Sequence, residues 1–168
     1  MTQLRLRLTQ HALFTVCVVS SVWLFSGCSS VPEKPALIPP HQSASPAVSY
    51  ALSLQGAPYS YGHASPEEGF DCSGFVKHVY ETQGISLPRT ARDMALVLPE
   101  IPLNNINSGD LVFFNSNGAP YSHVGIYINN DQFIHAPSQR SGKVIVSSLN
   151  NDYWKKHYMG IRRPRRLH

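Results

Sequence analysis

Three side chains in this sequence have the types and order needed for nucleophilic catalysis: Cys72, His123 and His135. Cys72 lies in Gly69-Phe70-Asp71-Cys72-Ser73-Gly74-Phe75-Val76, which reads as a turn running into a helix. Asp71 is a good N-cap, because its carboxylate can accept from the free amides of the first turn. Apolar residues recur at Phe75, Val76, Val79 and Tyr80, which is helical spacing, and Gly84 supplies a stop. Cys72 then takes the first helical position, where the positive end of the helix dipole favours an anion. A thiol placed there ionises more easily, and the thiolate is the reactive form. The neighbouring Asp71 charge opposes ionisation, so an imidazolium partner is required to win.

The two histidines fall on strand-like segments, Ser122-His123-Val124-Gly125-Ile126-Tyr127-Ile128 and Gln132-Phe133-Ile134-His135-Ala136-Pro137. Nucleophile, base and an orienting ring in that order suit a cysteine–histidine catalytic set. Strand alternation puts Val124, Ile126 and Ile128 on one face and His123, Gly125 and Tyr127 on the other. His135 shares its face with Phe133. In a hairpin, register decides whether the two rings meet. A three- or five-residue loop centred on Asn129 sets His123 directly opposite His135, on one face. A plain two-residue Asn129-Asn130 turn sets them on opposite faces. The chemistry therefore requires an odd loop or a bulge near Asn129–Asp131, where Asn and Asp tolerate the left-handed conformation.

The elements that must position these groups follow in order. Residues 46–55 form a short amphipathic helix stopped by Gly56, and a loop from Pro58 to Phe70 carries Tyr59, Tyr61 and His63. After the cysteine helix, Thr90 caps a further helix through about Val97, ended by Pro99 and Pro102. The pattern then turns to strands at Asp110–Asn115, His123–Ile128, Gln132–Ala136, Lys143–Ser147 and Tyr158–Arg163. Residues 150–156 read as a turn or one helical turn. Helices first and strands afterwards imply an α+β domain.

Four ordered motifs carry a family resemblance: Asp71-Cys72-Ser73-Gly74-Phe75, Gly109-Asp110-Leu111-Val112-Phe113-Phe114, His123-Val124-Gly125-Ile126-Tyr127 and Phe133-Ile134-His135-Ala136. Gly56-Ala57-Pro58-Tyr59-Ser60-Tyr61-Gly62 and Leu87-Pro88-Arg89-Thr90 add to them. From about Val48 to Arg163 the chain resembles the NlpC/P60 family. It departs from the family pattern at His63, Met94 and Ser108, none of which carries the chemistry. The resemblance implies a papain-like fold, with N-terminal helices packed on an antiparallel sheet of about five strands. It also implies a cysteine peptidase that cuts peptidoglycan stem peptides, most simply the D-γ-glutamyl–meso-diaminopimelate bond, with no cofactor and as a monomer.

In that scheme Cys72 is the nucleophile, His123 the base and later the acid, and His135 the group that orients His123. The Cys72 backbone amide and the Tyr59 hydroxyl would hold the oxyanion, although Tyr59 is equally a groove wall. Family members use the positions of Asp71 and Ser73 to bind a free substrate amine, while capping alone also explains Asp71. Arg89 meets a substrate carboxylate or only solvent. The remaining histidines, His41, His63, His78, His157 and His168, read as surface groups. Two alternatives stay open: an amidase or acyltransferase on the same fold, and a non-catalytic peptidoglycan-binding module. A zinc site built from Cys72, His123 and His135 is chemically conceivable.

Arg5 and Arg7 precede an apolar run from Ala12 to Phe25, too short to span a bilayer comfortably, as in a signal peptide. Small residues before Cys28 resemble a lipoprotein cleavage site. The expected organisation is a signal over 1–27, a lipidated Pro/Ser-rich tether over 28–47 and a catalytic domain over 48–168. A tether extended at about 3.1 Å per residue lets that domain reach up to roughly 60 Å from a membrane. Ser29 after the cysteine points to an outer-membrane anchor facing the periplasm. Loss of 1–27 leaves 12 basic against 10 acidic side chains, a balance that excludes a nucleic-acid partner. Cys72 is then the one thiol without an assigned role in export, notable in a compartment that favours disulfides. The run Arg162-Arg163-Pro164-Arg165-Arg166 reads as a solvated strand end with a weak pull on anionic polymer.

Overall fold

A computed structural model of the chain describes residues 45–165. The expected signal peptide, Cys28 and nearly all of the tether lie outside the described residues. The elements run α1 (Pro46–Ser53), β1 (Ala64–Ser65), β2 (Gly69–Phe70), α2 (Cys72–Glu81), α3 (Ala91–Val97), β3 (Glu100–Ile101), β4 (Leu111–Phe114), β5 (His123–Tyr127), β6 (Gln132–His135), β7 (Ile145–Ser148), α4 (Asp152–His157) and β8 (Tyr158–Arg162). The architecture is α+β, as the residue pattern implies.

Each helix starts where a short polar side chain can accept from the first turn. Ser45 accepts from the Val48 amide, Asp71 from Gly74, Thr90 from Asp93 and Asn151 from Tyr153. Helix α2 buries Phe75, Val76, Val79 and Tyr80, the stripe its spacing predicts. Gly74 faces the loop that precedes α2, and a methyl group there would overlap the His63 carbonyl. The loop's close approach is what demands glycine at that position.

The main sheet has six strands, all antiparallel, in the order β3-β8-β4-β5-β6-β7. A sheet of about five was expected. The extra strand, β3, is two residues long between Pro99 and Pro102, too short to show a period and at an edge where proline is tolerated. Alternation along β5 divides the core as predicted. Val124 and Ile126 join Leu111, Phe113 and Ile134 in the cluster packed under the helices. Tyr127 joins Val112, Phe114, Phe133 and Ile161 on the other face. A fully buried side chain of this size stabilises the fold by about 1.5–3 kcal/mol.

Two arginines of the basic run, Arg162 and Arg163, are not solvated strand-end groups, whereas Arg165 is exposed and Arg166 lies outside the described residues. Arg162 is buried, donates from Nε to the Ala95 carbonyl at 2.9 Å and faces Glu100 at 3.6 Å. Arg163 grips the Asp110 carboxylate with Nε and Nη2, both at 2.8 Å, which ties the end of β8 to the start of β4. His78 also departs from the surface expectation: it is half-buried, with Nε2 2.9 Å from the Tyr50 hydroxyl.

Candidate active site

The β5–β6 hairpin decides whether the histidines meet. Asn130 and Asp131 have φ of 46° and 58°, the left-handed values that a type I′ turn needs at both central residues. The Gln132 amide donates to the Asn129 carbonyl, and the Ile128 amide donates to the Gln132 carbonyl, both at 2.8 Å. Ile128 and Asn129 thus share one partner, and Asn129 is a bulge. The register is Ile126↔Ile134 and Tyr127↔Phe133. Extended by one residue, it puts His135 opposite Gly125, not opposite His123 as a loop centred on Asn129 would. The rings share a face and meet on the diagonal. Gly125 permits this: a Cβ there would stand 2.6 Å from the Phe133 ring and 3.1 Å from the His135 Cβ.

His123 Nε2 and His135 Nδ1 are 2.7 Å apart, and His135 Nε2 lies 2.9 Å from the Ser147 hydroxyl. Two nitrogens that close leave no space for a metal ion between them, since a zinc–nitrogen bond alone spans about 2.0–2.1 Å. Ser147 went unassigned from the sequence. The β6–β7 register pairs Ser147 with Phe133, which puts it on the His135 face. Trp154 was missed as well. From α4 its indole stacks on His123 at 5.4 Å and 24° and meets His135 edge-on at 4.9 Å. It shields both rings from water, and nothing in the turn-like segment 150–156 announces that.

Cys72 begins α2 and His123 begins β5, and both border one cleft of about 1030 Å³. The remaining predicted residues gather there too. Tyr59 borders the cleft close to the thiol, and its hydroxyl is pushed up by burial and by charge at Cys72 and Asp71. Asp71 and Ser73 are buried at its wall. Arg89 is half-buried, and its guanidinium is engaged by the cleft wall as well as by solvent. It clamps Asp71 bidentately at 3.0 and 2.6 Å and donates from Nη1 to the Ser73 hydroxyl at 3.0 Å. The Gly74 and Gly62 amides also donate to Asp71, at 2.7 and 3.0 Å. Desolvation pushes the Asp71 carboxyl up, but these donors and the Arg89 charge outweigh it and hold the group below its ordinary value.

The electrostatics correct one expectation. Burial, reinforced by the Asp71 charge, pushes the Cys72 thiol up to about 11, against the opposing pull of the Val124 and Ser73 amides and the Ser73 hydroxyl. Burial brings His123 down to about 4, and burial together with His123 lowers His135 as well. Both shifts favour a thiol beside a neutral imidazole over a partial thiolate. The helix terminus alone does not overcome desolvation.

Neutral rings can hold the proton positions this chemistry needs. With the His135 Nε2 proton donated to Ser147, His135 Nδ1 accepts from His123 Nε2–H. His123 Nδ1 then keeps its lone pair, the one nitrogen left to receive a proton.

With that geometry described, comparison with known proteins identifies the lineage. Residues 56–163 match the NlpC/P60 family model. The chain belongs to the NlpC/P60 family. It is 43% identical over 113 residues to murein DD-endopeptidase MepH of Escherichia coli, covering 64% of this chain and 41% of that protein. It is 44% identical over 120 residues to the gamma-DL-glutamyl hydrolase of Bacillus subtilis, covering 70% and 29%. Each relative is considerably longer than the part this chain matches. Among solved structures, a Staphylococcus aureus NLP/P60 family protein described as similar to lipoprotein superposes with a TM-score of 0.65 at 38% identity, covering 71% of this chain and 40% of that one. The NlpC/p60 domain of peptidoglycan hydrolase SagA does so at 0.59 and 30% identity, covering 70% and 95%.

Proposed function

We propose that the chain is a lipid-anchored cysteine endopeptidase of the bacterial cell envelope that hydrolyses peptidoglycan stem peptides at the D-γ-glutamyl–meso-diaminopimelate bond. The observation that carries this is the hydrogen-bonded run His123, His135 and Ser147 on a cleft that Cys72 also borders. His123 Nδ1 takes the thiol proton as the Cys72 sulfur attacks the scissile carbonyl, so attack and proton transfer occur together. The new imidazolium donates through Nε2 to His135, which orients and stabilises it. The oxyanion is held by the Cys72 amide, which has no helical acceptor at the first position, and by the Tyr59 hydroxyl. His123 then returns the proton to the leaving amine, and water releases the acyl group. Asp71 and Ser73, organised by Arg89, form the wall that receives the substrate's free amine.

The choice of bond is supported by the family resemblance and by the names of two relatives. Besides the gamma-DL-glutamyl hydrolase, the bifunctional muramidase/DL-endopeptidase CwlT of Bacillus subtilis is 39% identical over 115 residues. A second reading, a DD bond, is favoured by the name of the MepH relative. Mass spectrometry of products from diaminopimelate-type peptidoglycan separates them. Fragments beginning with diaminopimelate support the first, conversion of cross-linked dimers to intact monomers moves the assignment to the second, and release of a whole stem peptide from the sugar indicates an amidase.

The anchor rests on the basic, apolar and Gly27-Cys28 sequence signature. Cys28→Ala should abolish metabolic labelling with palmitate and release the protein from membranes. Equal labelling of variant and parent would remove the anchor, and fractionation with the inner membrane would remove the outer-membrane assignment.

A further inference from the structure

The catalytic set leaves unused the charge on the cleft rim. Arg89, Arg162 and Arg163 are each held by a carboxylate, from Asp71, Glu100 and Asp110. Arg92, on α3, and Arg140, in the loop after β6, are exposed and make no ion pair or side-chain hydrogen bond with any described residue. Both border the cleft that holds Cys72. Among the described residues, the only carboxylate lining that cleft is Asp71, whose charge Arg89 already matches. Asp93, next to Arg92, accepts from the Thr90 hydroxyl at 2.7 Å and does not line the cleft. The cleft therefore presents two uncompensated guanidiniums from two separate elements.

The loop carrying Arg140 is anchored, not free. The Tyr59 amide donates to the Gly142 carbonyl at 2.9 Å, and Pro58 bridges to Lys143, so Arg140 is held beside the wall that carries Tyr59. Guanidinium forks match carboxylates in shape as well as charge, and a concave site concentrates their field. We propose that Arg92 and Arg140 are specificity-determining residues that select a peptide bearing free carboxylates over the same peptide with those carboxylates amidated. This deepens the peptidase reading and rests on it for the nature of the substrate.

Exposed ion pairs are individually weak, about 0.2–1 kcal/mol. Each arginine should contribute about threefold in affinity, and the two together about tenfold. The test is binding of a fluorescently labelled stem peptide, in free-acid and amidated forms, to the full chain made inactive by Cys72→Ala. The free acid should bind about tenfold tighter at 20 mM salt. That advantage should vanish in Arg92→Gln/Arg140→Gln, shrink at 500 mM salt through screening, and return in part with lysine at both positions. In the active chain the loss should appear in KM more than in kcat. Equal affinity for the two forms, discrimination that survives the double substitution, or no binding of either form would overturn the proposal. Hydrolysis is scored separately: an active chain that cleaves neither peptide removes the peptidase reading, while the binding comparison still decides the role of the arginines.

Discussion

Alkylation of Cys72 by iodoacetamide, followed from pH 5 to 10, tests the protonation state assigned to the resting site. An ordinary thiol value of 9.0 moves to about 11 in this environment. Two pH units correspond to about 3 kcal/mol, or a hundredfold smaller thiolate fraction at pH 7. A more basic thiolate is also more nucleophilic, with a Brønsted slope of about 0.4–0.5, which returns close to tenfold. Cys72 should therefore react about tenfold more slowly than a cysteine in an unstructured peptide at pH 7. Its rate should climb tenfold per pH unit with no plateau below pH 10. Mass spectrometry of the Cys72 peptide isolates this thiol from Cys17 and Cys28. Asp71→Asn should move the curve to lower pH, because the neighbouring charge is the second cause of the rise after burial. A plateau already reached at pH 6 would show a preformed thiolate–imidazolium pair and refute the concerted proton transfer.

Other expectations follow from the same geometry. His123, lowered to about 4, stays neutral and base-competent down to that pH, so the acid limb of kcat/KM should lie near 4, not near 6.5. Because the unfolded state binds that proton from 6.5 downward while the folded state resists it, stability is full above 6.5. About 3 kcal/mol should be lost between 6.5 and 4, measurable by urea unfolding as a function of pH. A stability flat across that window would contradict the buried neutral ring. His135→Ala removes one orienting hydrogen bond worth about 1–3 kcal/mol and should lower kcat by roughly tenfold to a hundredfold, with Ser147→Ala costing less. Equal and near-total loss in His135→Ala and His123→Ala would mean that His135 does more than orient. Gly125→Ala should cost about 1–3 kcal/mol in thermal unfolding, since the new methyl meets Phe133 and His135, and unchanged stability would remove the steric account of that glycine.

Much of the site was legible because it depends on short periods and on caps. Asp71, Thr90 and the stripe from Phe75 to Tyr80 all act within a turn or two of their own position, so sequence spacing determines them. The shared face of His123 and His135 followed from strand alternation once an odd loop or bulge was required. Which residue bulges did not follow: a turn centred one residue later turns a direct pair into a diagonal one, and Asn129, Asn130 and Asp131 all tolerate the left-handed conformation. Arg89, Arg162 and Arg163 were hidden because their partners lie 18, 62 and 53 residues away, beyond any local pattern. Trp154 was hidden for the same reason, its contact with the histidines being made across the sheet. The upward push on the thiol is not legible in the sequence, because dipole and charge are visible there whereas desolvation is a property of the packed fold.

The central claim is that Cys72 performs the cleavage with His123 as its base. Its most direct test is digestion of purified diaminopimelate-type peptidoglycan by the wild-type chain and by Cys72→Ala, Cys72→Ser and His123→Ala, with soluble products identified by mass spectrometry. The wild type should release diaminopimelate-headed fragments, and all three variants should lose nearly all turnover while remaining folded by circular dichroism. Release of the same fragments at the same rate by wild type and Cys72→Ala would contradict it.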